Sequence, residues 1–237
     1  GDGARIVSLR RLEEIDQVEA LVEGDSELLR RVYEAQKAIA AALEIDDVLD
    51  AVAEQVFRLL GRATHVTVAL RRDDDAGTRA EPGRYVPVGT RVRDGSKPGE
   101  PIPVTRSVFR KVVAERAAVL AADAPREVGE TASLMAARIL STIGVPLWRG
   151  DDILGVLQVD NRGASGLFKE PDLDLLAVVA QATSQAFDRA RLVRRLRVAE
   201  ERQRSENVYL KRREETKRFD GIVGDSSAMK KLLDQVR

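Results

Sequence analysis

The sequence has no cysteine. That excludes a disulfide framework, a thiolate metal site and a thiol nucleophile. It has one histidine, His65, so haem or iron ligation through imidazole would rest on that ring alone, and a structural role is the expected one. No apolar run approaches the roughly 20 residues of a membrane-spanning helix. No charged, apolar and small-residue leader opens the chain, and a cytoplasmic location is expected. The phosphate-gripping string G-x-x-x-x-G-K-[ST] does not occur, nor does a recognisable helix-turn-helix. No Ser/His/Asp or paired-carboxylate constellation stands out, so the chain is not expected to be an enzyme. Repeats and low-complexity tracts are also lacking. There is no initiator methionine at Gly1, and a periodic segment runs to the last residues, as expected of an excerpt from a longer protein.

Charge is present in quantity but cancels, 39 Lys and Arg against 39 Asp and Glu. The balance is local rather than uniform. Residues 194–218 hold ten Lys or Arg and five Glu, a surplus of five that the remainder offsets. The high charged fraction suits long solvated helices.

Residues 1–24 are polar with an irregular apolar stripe, and a helix is expected there. Ser26 can cap a second helix carrying Leu29, Val32, Gln36, Ile39 and Leu43 three and four residues apart. Asp46 or Asp47 opens a third, with Leu49, Val52, Val56, Phe57 and Leu60, which Gly61 closes. The period then changes. In "THVTVAL", Val66, Val68 and Leu70 alternate with His65, Thr67 and Ala69, the pattern of a half-buried strand. His65 would lie on the outer or pocket-facing side. The run Asp73–Asp75 reads as a turn, because three adjacent carboxylates lack the convergent geometry of a metal site. "RYVPVGTRV" is a second strand, at an edge or a bulge because of Pro87. A short helix capped by Thr105 or Ser107 and a strand in "AVLAAD" follow. Residues 122–137 read as loop. "STIGVPLW" places Ile143, Val145 and Leu147 on one face, and "ILGVLQVD" does so for Ile153, Gly155, Leu157 and Val159. The intervening "RGDD" makes an antiparallel hairpin. Pro171 fits the first turn of a long helix without an obvious breaker before about Lys217. Strands joined by turns, with helices at both ends, indicate an α+β fold with an antiparallel sheet.

The long helix carries the seam Leu173, Leu176, Ala180, Thr183, Phe187, Ala190, which should pack on its own sheet. A second, partly polar seam follows: Leu192, Leu196, Ala199, Gln203, Glu206, Leu210. A solitary helix of this kind has little to bury, so a partner helix is expected.

The run from Ile139 to Leu192, with its Val-Pro-Leu strand, Gly turn, Leu-Gly-Val-Leu strand, Asn-Arg, Phe-x-x-x-Asp and Leu/Ala/Gln-rich helix, resembles the C-terminal half of a GAF domain. The resemblance covers about residues 26–192 and implies an antiparallel sheet flanked by helices with a small-molecule pocket between the sheet and residues 123–138. That pocket would offer Thr131, Ser133, Met135 and Arg138, with Arg106 approaching from the short helix, for a small anionic or polar ligand. A collapsed pocket filled by Leu134 and Met135 is the alternative. Cyclic-nucleotide-binding GAF domains carry Asn-Lys, Phe and Asp-Glu. Here the Lys position is Arg162 and the Glu position is Leu173, so that ligand is not expected. Asn161, Arg162, Phe168 and Asp172 are expected instead to be structural, with Arg162 and Asp172 pairing to pin the loop to the final helix over Phe168. Without cysteine, a thioether-linked bilin is excluded, as is catalysis of the methionine-sulfoxide-reducing kind. No cofactor is expected, and the ligand is an unidentified small molecule.

"FDGIVGDSSAMKKLLDQV", from Phe219, resembles the opening of the AAA+ domain of sigma-54-dependent transcription activators. The resemblance implies a connector at 1–25, a GAF sensory domain at 26–192, a charged helical linker at 193–218 and the start of an AAA+ domain at 219–237. It further implies that the whole protein contacts sigma-54 RNA polymerase and enhancer DNA through other domains. A GAF module of another signalling protein, such as a histidine kinase or nucleotide cyclase, is the alternative. A homodimer through residues 26–43 and 173–216 is expected from the seams. The basic 194–218 helix could touch nucleic acid, but its interleaved Glu residues favour a linker coiled coil.

Overall fold

The computed structural model describes residues 5–7, 26–71, 85–96, 106–121, 139–165, 167–220 and 227–236. In chain order the elements are β1 (Arg5–Val7), α1 (Ser26–Ala41), α2 (Ile45–Leu59), β2 (His65–Arg71), β3 (Tyr85–Val92), α3 (Arg106–Glu115), β4 (Ala118–Ala121), β5 (Ser141–Arg149), β6 (Asp152–Asn161), α4 (Glu170–Asp220) and α5 (Ser227–Val236). They fall into two compact units, Gly1–Arg191 and Leu192–Arg237. No helix among the described residues is long and apolar enough to cross a membrane.

The six strands of the first unit form one sheet in the order β1-β4-β5-β6-β2-β3, with every pair antiparallel. The α+β reading therefore holds. β1 departs from the expected helix at 1–24: Arg5, Ile6 and Val7 pair with Leu120, Val119 and Ala118. The outer edge of β4 offers unpaired backbone groups, and a short strand that fills them outweighs a weak helical stripe. β3 occupies the opposite edge, as Pro87 requires, and the register slips where Ala69 meets Pro87.

Both faces of the sheet are covered, so β2 is buried along nearly all its length rather than on one side. On one face Val66, Val68, Leu70, Ile143, Val145, Leu147, Leu157 and Val159 join Ile39 of α1, Val48, Leu49, Val52 and Val56 of α2, and Leu173, Leu176 and Phe187 of α4. The expected seam of α4 up to Ala190 is thus its sheet-packing face. The other face carries α3, whose Val108, Phe109, Val112 and Val113 pack with Ala69, Tyr85, Val119, Ile153 and Val156. Gly144 lets α3 lie against the strands, since a Cβ there would sit 2.9 Å from Val112 Cγ2 and 3.0 Å from Val108 Cγ1.

The β5–β6 hairpin turns at Gly150 with φ +56°, a left-handed value that favours glycine. One expectation fails within it. Leu147 pairs with Gly155 but Trp148 with Ile153, so Leu154 is an extra residue. This bulge puts Ile153 on the α3 face and Leu154 on the other, because one inserted residue reverses the alternation beyond it. The end of α2 also differs. Leu60 is its C-cap, so Gly61 follows as the C′ residue as expected, but not in the left-handed conformation; Arg93 donates instead to the carbonyls of Phe57, Leu60 and Ala63 at 3.1, 2.8 and 2.6 Å. A guanidinium satisfies the terminal carbonyls, so no left-handed glycine is needed.

Candidate ligand-binding face

The strand registers bring two polar rows onto the α3 face of the sheet. His65 lies between Val92 and Asp160, and Asp160 is next to Thr142. Thr67 lies between Thr90 and Gln158, and Gln158 is next to Gly144. Of these polar residues Thr67, Thr90, Thr142, Gln158 and Asp160 are buried. Burying so much hydrogen-bonding capacity is costly unless it is satisfied.

Asp160 is the centre. Its Oδ1 accepts from Thr142 Oγ1 at 2.7 Å and Gln158 Nε2 at 2.8 Å. Arg162 Nη2 stands 3.9 Å from its Oδ2. Burial pushes the Asp160 carboxyl above the usual carboxylate range, against the two donors and the Arg162 charge, which pull it down. The opposite holds for Arg162: burial lowers its proton affinity and Asp160 raises it. Arg162 Nε and Nη2 are buried with no hydrogen-bond partner.

His65 borders this pair. Its pKa is pushed down to about 4, first by burial and then by the Arg162 charge, with Asp94 opposing. The ring is therefore neutral at neutral pH. Thr64 Oγ1 donates to the Asp160 carbonyl at 3.0 Å and lies 2.9 Å from His65 Nδ1. Thr67 and Thr90 hydroxyls pair with each other at 2.9 Å. The face thus brings together a cationic donor, a carboxyl, an amide, hydroxyls and an imidazole. Among the described residues no cluster of three or more His, Cys, Asp or Glu could hold a metal ion.

Thr131, Ser133, Met135 and Arg138 lie outside the described residues, as does the side chain of Arg106, which opens α3. The four motif residues are placed. Asn161 Oδ1 accepts from the backbone N–H of Gly163 at 2.7 Å and Ala164 at 2.9 Å, and its Nδ2 donates to the Arg62 carbonyl. It therefore folds the loop after β6. Phe168 is buried in the main core. The expected pairing of Arg162 with Asp172 is replaced by two separate contacts. Arg162, just past the end of β6, stands beside Asp160 two residues earlier, whereas Asp172 accepts the Lys169 N–H at 2.8 Å, half of a capping box at the start of α4. The strand-face residues Thr67, Thr90, Thr142, Gln158 and Asp160 were not among the expected site residues. Their signal was the polar half of the alternation in "LQVDN" and "THVTV", which reads as a solvated face unless something covers it.

A separate shallow cleft of about 270 Å³ lies between α1 and α4, lined by Gln36, Ala40, Gln181, Gln185 and Arg189 among others. Its amides and exposed arginine make no buried charged centre comparable to Asp160 and Arg162.

A family model described as a GAF domain matches residues 42–188. Among solved structures, the GAF domain of a phosphoenolpyruvate-protein phosphotransferase from Acinetobacter is 17% identical with a TM-score of 0.52, over 71% of this chain and 97% of that one. The corresponding domain from Coxiella burnetii is 18% identical with a TM-score of 0.52, over 70% of this chain and 95% of that one. A free methionine-R-sulfoxide reductase from Neisseria meningitidis, in complex with its substrate, is 17% identical with a TM-score of 0.51, over 70% and 91%. No curated protein matches the chain.

Proposed function

Because the chain belongs to the GAF domain family, we propose that it is a signal-sensing module that takes a small polar ligand on the sheet face carrying Asp160 and Arg162. The observation that carries this reading is the buried Arg162 head, with Nε and Nη2 unbonded beside a hydrogen-bonded carboxyl. A ligand acceptor group there would complete the donor set and relieve the burial of a positive charge. The role is regulatory rather than catalytic. The family's sulfoxide-reducing chemistry uses a cysteine nucleophile, and this sequence has none.

The regulated partner in this reading is the AAA+ ATPase of a sigma-54-dependent transcription activator. Its support is the resemblance of residues 219–237, where Met229, Leu232, Leu233 and Val236 fall at helical spacing within α5. A G-x-x-x-x-G-K-[ST] string encoded soon after Arg237 supports the assignment, and a kinase or cyclase domain there overturns it.

Thermal-shift titration of the purified chain tests the ligand reading, with a panel that includes cyclic nucleotides and 2-oxo acids. A binder at a hundredfold its Kd stabilises the fold by about 2.7 kcal/mol. The expected outcome is a saturable rise in Tm with one class of small polar compound, lost in Arg162→Met. A panel-wide absence of response, or a response that Arg162→Met leaves intact, defeats it.

A further inference from the structure

α3 packs on the candidate ligand face of the sheet and α4 on the other face. α3 ends in a Schellman turn. The Ala117 N–H donates to the Val112 carbonyl at 3.3 Å, and Arg116, at the C′ position, takes φ +52°. Glycine is the usual residue there, because a Cβ in the left-handed region is strained. Among the described residues no other non-glycine residue has a positive φ. Strain kept at one position points to a use for its side chain. The Arg116 guanidinium lies over the Trp148 ring, 5.0 Å from its centroid, and donates to the Asp151 carbonyl. Trp148 and Asp151 flank Gly150 at the tip of the β5–β6 hairpin.

The same tip is tied to α4. Arg149 Nη1 stands 3.5 Å from Asp188 Oδ1. Asp152 Oδ2 stands 3.6 Å from Nη2 of Arg71, and the Arg71 backbone carbonyl accepts from the Arg191 guanidinium. Asp188 and Arg191 share one turn of α4, the last turn of the first unit.

We propose that the tip of the β5–β6 hairpin is a relay that couples the position of α3 over the ligand face to the last turn of α4 in the first unit. Arg116 joins α3 to the tip. Arg149 and the Arg71–Arg191 contact join the tip to α4. A molecule that displaces α3 moves Arg116 and the tip with it, and the tip then loosens or draws on Asp188 and Arg191. The Arg149–Asp188 arm is half exposed, and such ion pairs are individually weak. The other arm ends on Arg71 and Arg191, both buried, where a charge-assisted hydrogen bond holds better. The regulatory meaning of the relay rests on the ligand reading above. Its mechanics do not, and the experiment that tests it uses no ligand, so its failure leaves that reading standing.

The measurement is hydrogen–deuterium exchange of the whole chain, read at the backbone amides of residues 187–192. Arg116→Ala should speed their exchange about threefold, the scale of a weak ion-pair network, although it acts from the opposite face of the sheet. Arg116→Gly should do the same while easing the strained turn, which separates loss of the relay from damage to α3. Asp188→Asn combined with Arg191→Met cuts both arms to α4 and should also speed these amides. Adding Arg116→Ala to that pair should then change nothing further, because the contacts act in series. Arg58→Ala, which removes an exposed pair with Glu54, should leave the α4 amides as they are. Three outcomes would overturn the proposal. One is unchanged exchange at 187–192 in both Arg116 variants. Another is an effect of Arg116→Ala that multiplies with the α4 pair, which would make the contacts independent. The third is a rise spread evenly over β2, β6 and α4, which would mark general loss of stability.

Discussion

His65 and Asp160 face each other across β2 and β6, and burial moves their proton affinities in opposite directions. Folded His65 takes its proton only near pH 4, against an ordinary 6.5. Between those values the unfolded chain holds more protons, so this group's contribution to stability is present above 6.5 and is lost as pH falls toward 4. The Asp160 carboxyl is raised above its ordinary 3.8. There the folded chain holds more protons, so the contribution is present below 3.8 and is lost as pH rises through the raised value. His65→Gln is therefore expected to remove part of the loss of Tm on acidification. Asp160→Asn keeps an acceptor for Thr142 and Gln158 but carries no charge, and is expected to raise Tm at neutral pH and to flatten the descent on the alkaline side. Thermal melts of the three proteins across the acid-to-neutral range read both effects. A Tm of Asp160→Asn below wild type at neutral pH would show that Arg162 needs the carboxylate more than the interior resists it.

At the scale of elements, α3 and the sheet fit through an absent side chain. Gly144→Ala places a methyl 2.9 Å from Val112 Cγ2, and such overpacking costs about 1–3 kcal/mol. In the double variant with Val112→Ala the nearer clash is gone and only Val108 Cγ1 at 3.0 Å remains, so the combined loss should be smaller than the sum of the single losses. Denaturant melts of the four proteins measure that coupling. Additive losses would mean that α3 moves away at little cost. The consequence reaches the candidate site, because α3 packs over Gly144, the neighbour of Gln158 in the same row. A helix displaced there should weaken ligand binding as well as stability.

For the whole molecule, the question is how occupancy of a sheet face reaches a second unit. α4 carries both the core residues of the first unit and the exposed stripe beyond Arg191. Gln203 and Glu206 interrupt that stripe, so a helix pairing along it would be held weakly there, and a weak pairing can hold two arrangements within a few kcal/mol of each other. Under the proposed regulation of an AAA+ ATPase, replacing both by Leu in the full-length protein should fix one arrangement and make that ATPase rate independent of signal. ATPase assays with and without the activating compound check this. A double variant that still responds normally would route control through direct contact between the sensory and motor domains instead.

Periodicity and turn chemistry are local, and everything they govern was legible in the amino-acid sequence. The β5–β6 hairpin, the sheet-packing stripe from Leu173 to Ala190, the edge placement of β3 through Pro87 and the α+β class were all readable from neighbouring residues. The family resemblance rested on the same residues. Burial is different, because it depends on what packs against a face. Thr67, Gln158 and Asp160 sit at alternate positions that read as solvated, yet they are buried, on the face where α3 packs over Gly144. The single extra residue at Leu154 exchanges the faces of Ile153 and Leu154, since pairing with β5 is set across strands. The strand at Arg5–Val7 was likewise decided by a distant segment, the edge of β4. A strand edge and a buried carboxyl are completed by residues far away in the chain, and no local pattern encodes them.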